Sequence, residues 1–185
     1  MNEAVAVNPT TKHKKVGQRL KQGGFGALEI FVALGIGILA VLGALAWKSK
    51  LDNSSNNQVE SENIASLIAN TKQLKTASGY GASSTNLVPL LINFEGVPGN
   101  MSKSGVTITN VWGGSVTLVS TGAGFTLTYA DVPTANCIFL ATQASPGYGS
   151  TLRINGGSAM TGEVTSSVAN AACTSSTNSL AWSGR

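Results

Sequence analysis

Apolar and polar positions divide this 185-residue chain into two unlike parts. From Phe25 to Trp47 the sequence FGALEIFVALGIGILAVLGALAW is apolar for 23 residues apart from Glu29, and Lys48 and Lys50 follow it. At about 1.5 Å per residue such a helix reaches roughly 34 Å, enough for the ~30 Å hydrocarbon core of a bilayer. The run therefore predicts a membrane-spanning helix. Gly35, Gly37, Ala40, Gly43 and Ala44 within it predict close approach of neighbouring helices, as small residues allow. Asp52-Asn53-Ser54-Ser55-Asn56-Asn57 then reads locally as a break or cap, because these side chains compete for backbone hydrogen bonds. Beyond it, Ile64, Leu67, Ile68, Thr71 and Leu74 recur at i, i+3, i+4 and predict an amphipathic helix to about Thr76.

The pattern changes again after Thr76. Gly79 to Ser104 mixes glycines, prolines, Asn and Ser with short apolar clusters such as Leu87, Leu90, Leu91 and Ile92, which predicts an irregular connection with one short helix. VTITNVW (106–112), SVTLVST (115–121) and FTLTYAD (125–131) are rich in β-branched and aromatic residues. Gly113-Gly114 and Gly122-Ala123-Gly124 separate them, so the three runs predict an antiparallel meander. Pro133-Thr134 offers a helix start, with Thr134 as N-cap of ANCIFLATQ, although that apolar run also fits a strand. Short strands at Thr151–Asn155 and Gly162–Ser166 would extend the sheet.

Charge sharpens the N-terminal picture. Residues 1–24 hold Lys12, Lys14, Lys15, Arg19 and Lys21 against Glu3, and carry the whole net charge of +4; residues 25–185 balance to zero. Positive charge ahead of an apolar run holds that end in the cytoplasm during insertion, so the basic balance is poor evidence for nucleic-acid binding. A cleaved secretory signal has small residues after its apolar core. Here Gly23-Gly24 stands before it, so a cut after Gly24 leaves the helix on the mature chain. That cut creates an α-amino group on Phe25, four residues from Glu29, whose carboxylate is costly in a membrane helix and needs a partner.

A basic leader, Gly24, Phe25, Glu29 and a long apolar helix together resemble the processing site of type IV prepilins. The resemblance implies a leader at 1–24 removed by a prepilin peptidase, N-methylation of Phe25, a transmembrane and filament-core helix at 25–50, and a globular head at 51–185. It implies that Phe25 and Glu29 set the docking of each subunit on its neighbour. Trp112-Gly113-Gly114 before a strand, then Val132-Pro133 and a cysteine soon after, are similar to the type IVb subclass, and in particular to the PilS subunits of enterobacterial thin pili. The family order of elements favours the helix over the strand for ANCIFLATQ. It also implies one long helix across the polar stretch at 52–57. The expected fold is thus α+β, with a long N-terminal helix packed on an antiparallel sheet.

Cys137 and Cys173 are the chain's two cysteines. An even count in an exported domain favours a bridge over two buried free thiols. Closing residues 138–172 into a loop contributes about 3–4 kcal/mol on the chain-entropy model.

Candidate chemistry changes little. The one histidine, His13, lies in the leader, so the mature chain has no imidazole for acid–base or metal work. The acidic residues are scattered, Ser and Thr are abundant without a positioned base, and Gly156-Gly157 lacks the phosphate-loop pattern. Glu60 and Glu62 before Lys72 and Lys75 read as charges placed to suit a helix dipole. The expectations are no catalytic residues, no cofactor and no metal. The resemblance implies a major pilin that polymerises with itself on a Gram-negative cell, passing from the inner membrane to an extracellular pilus. Its implied partners are the prepilin peptidase, an assembly ATPase, a secretin and a receptor on a host or recipient cell. A pseudopilin or minor pilin is the near alternative, and a monomeric membrane-anchored adhesin the further one.

Overall fold

The computed structural model describes residues 26–144 and 151–185; between 27 and 53 it describes only some of the side chains. The chain divides into two compact units, Met1–Ala44 and Leu45–Arg185. Helix α1, Ala27–Gln73, runs unbroken through the polar stretch. Asp, Asn and Ser each cost a few tenths of a kcal/mol against Ala in a helix, a penalty that tertiary packing overrides. The packing is plain: Ile64, Leu67, Ile68, Thr71 and Leu74 are all buried, as their spacing predicts. The polar stretch itself contributes, since Asn57 Oδ1 accepts from Asn136 Nδ2 at 2.7 Å. The helix stops at Gln73 rather than near Thr76. Leu74 and Lys75 donate three residues back, and Thr76 and Gly79 then exchange backbone bonds in a tight turn. Gly79 has φ +93°, and a Cβ there would lie 2.4 Å from the Gly122 carbonyl oxygen.

The connection holds one short helix, α2 (Val88–Asn93), and leads into the sheet. Its strands are β1 (Ser102–Ser104), β2 (Thr107–Thr109), β3 (Ser115–Ser120), β4 (Phe125–Pro133), β5 (Thr151–Ile154) and β6 (Thr177–Gly184). They form one six-stranded sheet in the order β1-β2-β3-β4-β6-β5, with every neighbouring pair antiparallel. The predicted meander is β2-β3-β4, although the first run contributes only Thr107–Thr109. Two helices complete the fold, α3 (Thr134–Ala144) and α4 (Ser166–Ala172). The fold is α+β, with a Cys137–Cys173 disulfide joining α3 to the end of α4.

Two further local expectations fail. Thr134 is the first residue of α3 rather than its N-cap, and its hydroxyl donates to Ser175 O at 2.7 Å. Gly162–Ser166 is not a strand. Thr165 caps α4 there, its hydroxyl accepting from Val168 N, so the polar residues serve a helix start. The sequence reading also omitted β1 and β6. The latter lies between β4 and β5, and buries Asn178, Leu180 and Trp182. Period two is present in TNSLAWSG, but Ser, Asn, Ala and Gly hide it from a reading based on β-branched residues.

Core packing follows from these registers. Leu127 faces Trp182 and Tyr129 faces Leu180 across β4 and β6. Tyr129 and Trp182 also meet edge to face at 5.8 Å, and Tyr80 and Phe125 do so at 5.3 Å. Past Tyr129 the ladder shifts through a bulge at which Asp131 takes φ +56°.

Candidate functional site

Gly24 and Phe25, the expected processing pair, lie outside the described residues. Glu29 falls in the first turn of α1 by its backbone, while its side chain lies outside the described set. Phe31, Val32 and Ile38 are described, and are 73%, 54% and 60% exposed. A Cβ built on Gly35 or Gly37 meets nothing within 4 Å. This part of the chain leaves apolar surface uncovered, which marks a contact surface when it is contiguous. Among the described residues no helix is long and apolar enough to cross a membrane. Most side chains of the segment that carries the membrane expectation are outside that set.

In the second unit, α1 is fastened to the sheet by polar groups as well as apolar ones. Glu60 is fully buried and its Oε1 accepts from Val111 N at 2.7 Å. The sequence reading placed Glu60 at a helix start, suiting the dipole. The structure corrects this: α1 begins at Ala27, so Glu60 is mid-helix and faces inward. Burial pushes its pKa above the ordinary 4.5, while the Val111 N–H, Asn63 and Tyr129 pull the other way. Burial, then the charge of Glu60, holds the Tyr129 hydroxyl well above its usual range. Asn63 and Tyr129 sit beside the carboxylate, and Glu60 Oε2, Asn63 Nδ2 and Tyr129 Oη are three buried polar atoms with no well-formed hydrogen bond.

Val111 is presented by a turn that Asn110 builds. Asn110 Oδ1 accepts from Trp112 N and Gly114 N at 3.0 and 2.9 Å, and Nδ2 donates to Ala130 O at 2.8 Å. Gly114 is required beside it, because a Cβ would lie 2.0 Å from the Ala130 carbonyl oxygen. The sequence reading singled out Trp112-Gly113-Gly114 but missed Asn110, which organises the turn.

The predicted cysteines meet in a buried disulfide. Sequence reasoning missed the asparagines around it. Asn178 Nδ2 donates to Val132 O and Ser175 O, and its Oδ1 accepts from Ser175 N and Asn155 Nδ2. Asn155 Nδ2 also donates to Ala172 O, one residue before Cys173, while its Oδ1 accepts from Ser179 N. Asn155 and Gly156 take φ +51° and +68°, and Gly157 N returns to Ile154 O, a tight turn of the type that Asn-Gly favours. The Asn155-Gly156 pair was the legible signal. Together these bonds tie β5, β6, the end of β4 and the disulfide into one block.

A long helix buried along one stripe, a β2-β3-β4 meander, and a disulfide between α3 and α4 thus occur in one order along the chain. The family model described as PilS N terminal matches residues 54–184. The chain belongs to the PilS family. No curated protein matches it. The match covers the PilS head from the polar stretch at 52–57 to the end of β6, and so includes Glu60, Asn110, both cysteines and Asn178. The resemblance to type IV pilins, first read from the leader and apolar helix, therefore rests independently on the head. Pilins are subunits that assemble with themselves into extracellular pili, which is the class of work this fold performs.

Proposed function

We propose that this PilS-family chain is the major structural subunit of a type IVb pilus, and that its work is polymerisation rather than catalysis. The observation that carries the reading is the uncovered apolar surface of α1 at Phe31, Val32 and Ile38, within the helix that continues into the head. An apolar helix needs lipid or other helices around it, and a filament subunit uses both in turn. Removal of residues 1–24 after Gly24 leaves Phe25 at the mature N-terminus, where it is methylated. Before assembly the subunit is held in the inner membrane by residues 25–50. In the filament, Phe25 and Glu29 set the step between subunits, and small residues such as Gly35 and Gly37 let helices approach. The tied C-terminal block keeps the outward region intact outside the cell, where the pilus serves adhesion, aggregation or mating contact. The prepilin peptidase, an assembly ATPase and a secretin are the machinery this route requires.

Intact mass and N-terminal sequencing of protein sheared from the cell surface test the reading. The expected chain begins at methylated Phe25, has oxidised cysteines and is the predominant species of the filament. A chain that retains residues 1–24, or is cut after Trp47, would overturn the pilin route. Trace stoichiometry in the filament would replace the major subunit with a minor one.

A further inference from the structure

The turn at Asn155-Gly156 sets an uncommitted nucleophile beside a restrained electrophile. A backbone nitrogen can attack the side-chain carbonyl carbon of a preceding asparagine, and glycine hinders that approach least because it has no Cβ. Asn155 is the one asparagine of the chain that glycine follows. The attacking group is available: the Gly156 N–H enters no hydrogen bond among the described residues, and both residues are exposed to water. The carbonyl carbon is held away from it. Asn155 Oδ1 accepts from Ser179 N at 2.9 Å, while Nδ2 donates to Asn178 Oδ1 at 2.8 Å and to Ala172 O at 3.1 Å. Turning the side chain toward Gly156 breaks all three bonds.

Those restraints lean on the disulfide. Ala172 ends α4 and precedes Cys173, whose bond to Cys137 ties that helix end to α3. Asn178 is fixed in turn by Val132 O and Ser175 at the end of β4 and the start of β6. With the bridge open, the Ala172 carbonyl is free to move away and the Asn155 amide loses an acceptor.

We propose that Asn155 is a modification site gated by this block, deamidated by the Gly156 amide when the block opens. In the first step the Gly156 nitrogen bonds to Asn155 Cγ and gives its proton to solvent. The Cγ–Nδ2 bond breaks, and Nδ2 takes a proton from water and leaves as ammonia. Water then opens the resulting five-membered imide at either carbonyl, leaving aspartate or, with the chain rerouted through Cβ, isoaspartate. No electrons are transferred. The product makes the opening permanent, because a carboxylate only accepts hydrogen bonds and cannot replace the two that Nδ2 donates. It would instead face the oxygens of Ala172 and Asn178. A subunit whose bridge is reduced, or has never formed, is thereby barred from rebuilding the native block. The inference stands on this turn and does not depend on the pilin reading.

The full-length protein in detergent, held in mildly alkaline buffer with its bridge either intact or reduced, tests it. Trypsin cuts after Arg153, so tandem mass spectrometry of the peptide beginning at Ile154 follows the reaction with time, and elution separates aspartate from isoaspartate. Conversion of Asn155 should be about tenfold faster or more in the reduced protein, since each lost restraint lowers the barrier to turning the side chain. Asn170 in the same peptide, which Ala171 follows, should stay unconverted. Asn178→Ala removes one acceptor with the bridge intact and should also speed conversion of Asn155. Asn155→Asp reproduces one product and should lower the melting temperature of the oxidised protein by about 3 °C or more. Equal rates in the oxidised and reduced proteins, or no conversion in either, would overturn the gated site. An unchanged melt of the Asp variant would overturn the claim that the product bars the block from closing.

Discussion

Glu60 shows how one residue departs from its pattern. Helical periodicity finds Ile64, Leu67 and Ile68 because apolar side chains announce burial, but a carboxylate on the same face reads as solvent-facing. Asn63 and Asn110 escape for the same reason, whereas the two cysteines were legible because their pairing follows from compartment and number rather than from position. The folded-state pKa of Glu60 is raised above 4.5, so the folded head holds this proton more tightly than the unfolded chain does. Its contribution is therefore fully present below the unfolded pKa, and is lost as pH rises through the folded value. Glu60→Gln mimics the protonated form and preserves the acceptor for Val111 N–H. Urea denaturation across pH 4–8 should show a wild-type component that declines with rising pH and is absent from the variant. At pH 8 the Gln variant should be at least as stable as wild type. Glu60→Ala instead strands the Val111 N–H and should cost about 1–3 kcal/mol at every pH. A Gln variant less stable than wild type at pH 8 would mean that the ionised carboxylate is well solvated or well paired, contrary to its burial and its unpartnered Oε2.

Elements were legible where packing and local propensity agree. β3 and the first half of β4 combine β-branched residues with alternation, and the sequence reading places both. It misses β6, in which small and polar residues rely on partners at β4 and β5 for their strand geometry, and reads the start of α4 as a strand. At 52–57 local propensity argues for a break, and the continuous helix follows from tertiary contacts instead. This conflict can be measured with two substitutions. Ser54 is exposed, so Ser54→Ala should stabilise the head by up to about 0.5 kcal/mol through helix propensity alone. Asn57→Ala gains the same propensity but strands Asn136, which is 2% exposed and donates to it. An unpaired buried amide costs about 1–3 kcal/mol, so the net should be a loss of about 1 kcal/mol or more. Thermal melts of the two variants should move in opposite directions. A rise in both would show that α1 needs no polar tie to α3, and that propensity dominates the junction.

For the molecule as a whole, the two units are held by different means. Residues from Leu45 onward carry their own buried core, their ladder and the disulfide, whereas the described part of α1 before Ala44 exposes Phe31, Val32 and Ile38. Folding of the head and contact through the N-terminal helix are thus separable. If the exposed face is where subunits meet, a polar group placed on it should abolish assembly and leave the head untouched. Phe31→Asn is the sharper choice, because Phe31 is 73% exposed and the substitution removes a large apolar surface without adding charge. At about 25 cal/mol per Å², a buried aromatic ring contributes roughly 2–3 kcal/mol per subunit, repeated along every turn of a filament. The expected outcome is a melting temperature of the detergent-solubilised protein within about 1 °C of wild type, together with loss of sheared filaments from the cell surface, since surface substitutions away from packed features stay within about 0.5 kcal/mol. Glu29→Ala should act in the same direction through docking rather than apolar area, with the leader still cleaved. Filaments at wild-type yield from the Phe31 variant would remove this face from the assembly. A melt lowered by several degrees would instead mean that Phe31 packs against its own chain, and that an exposed Phe31 is not the state of the subunit before it polymerises.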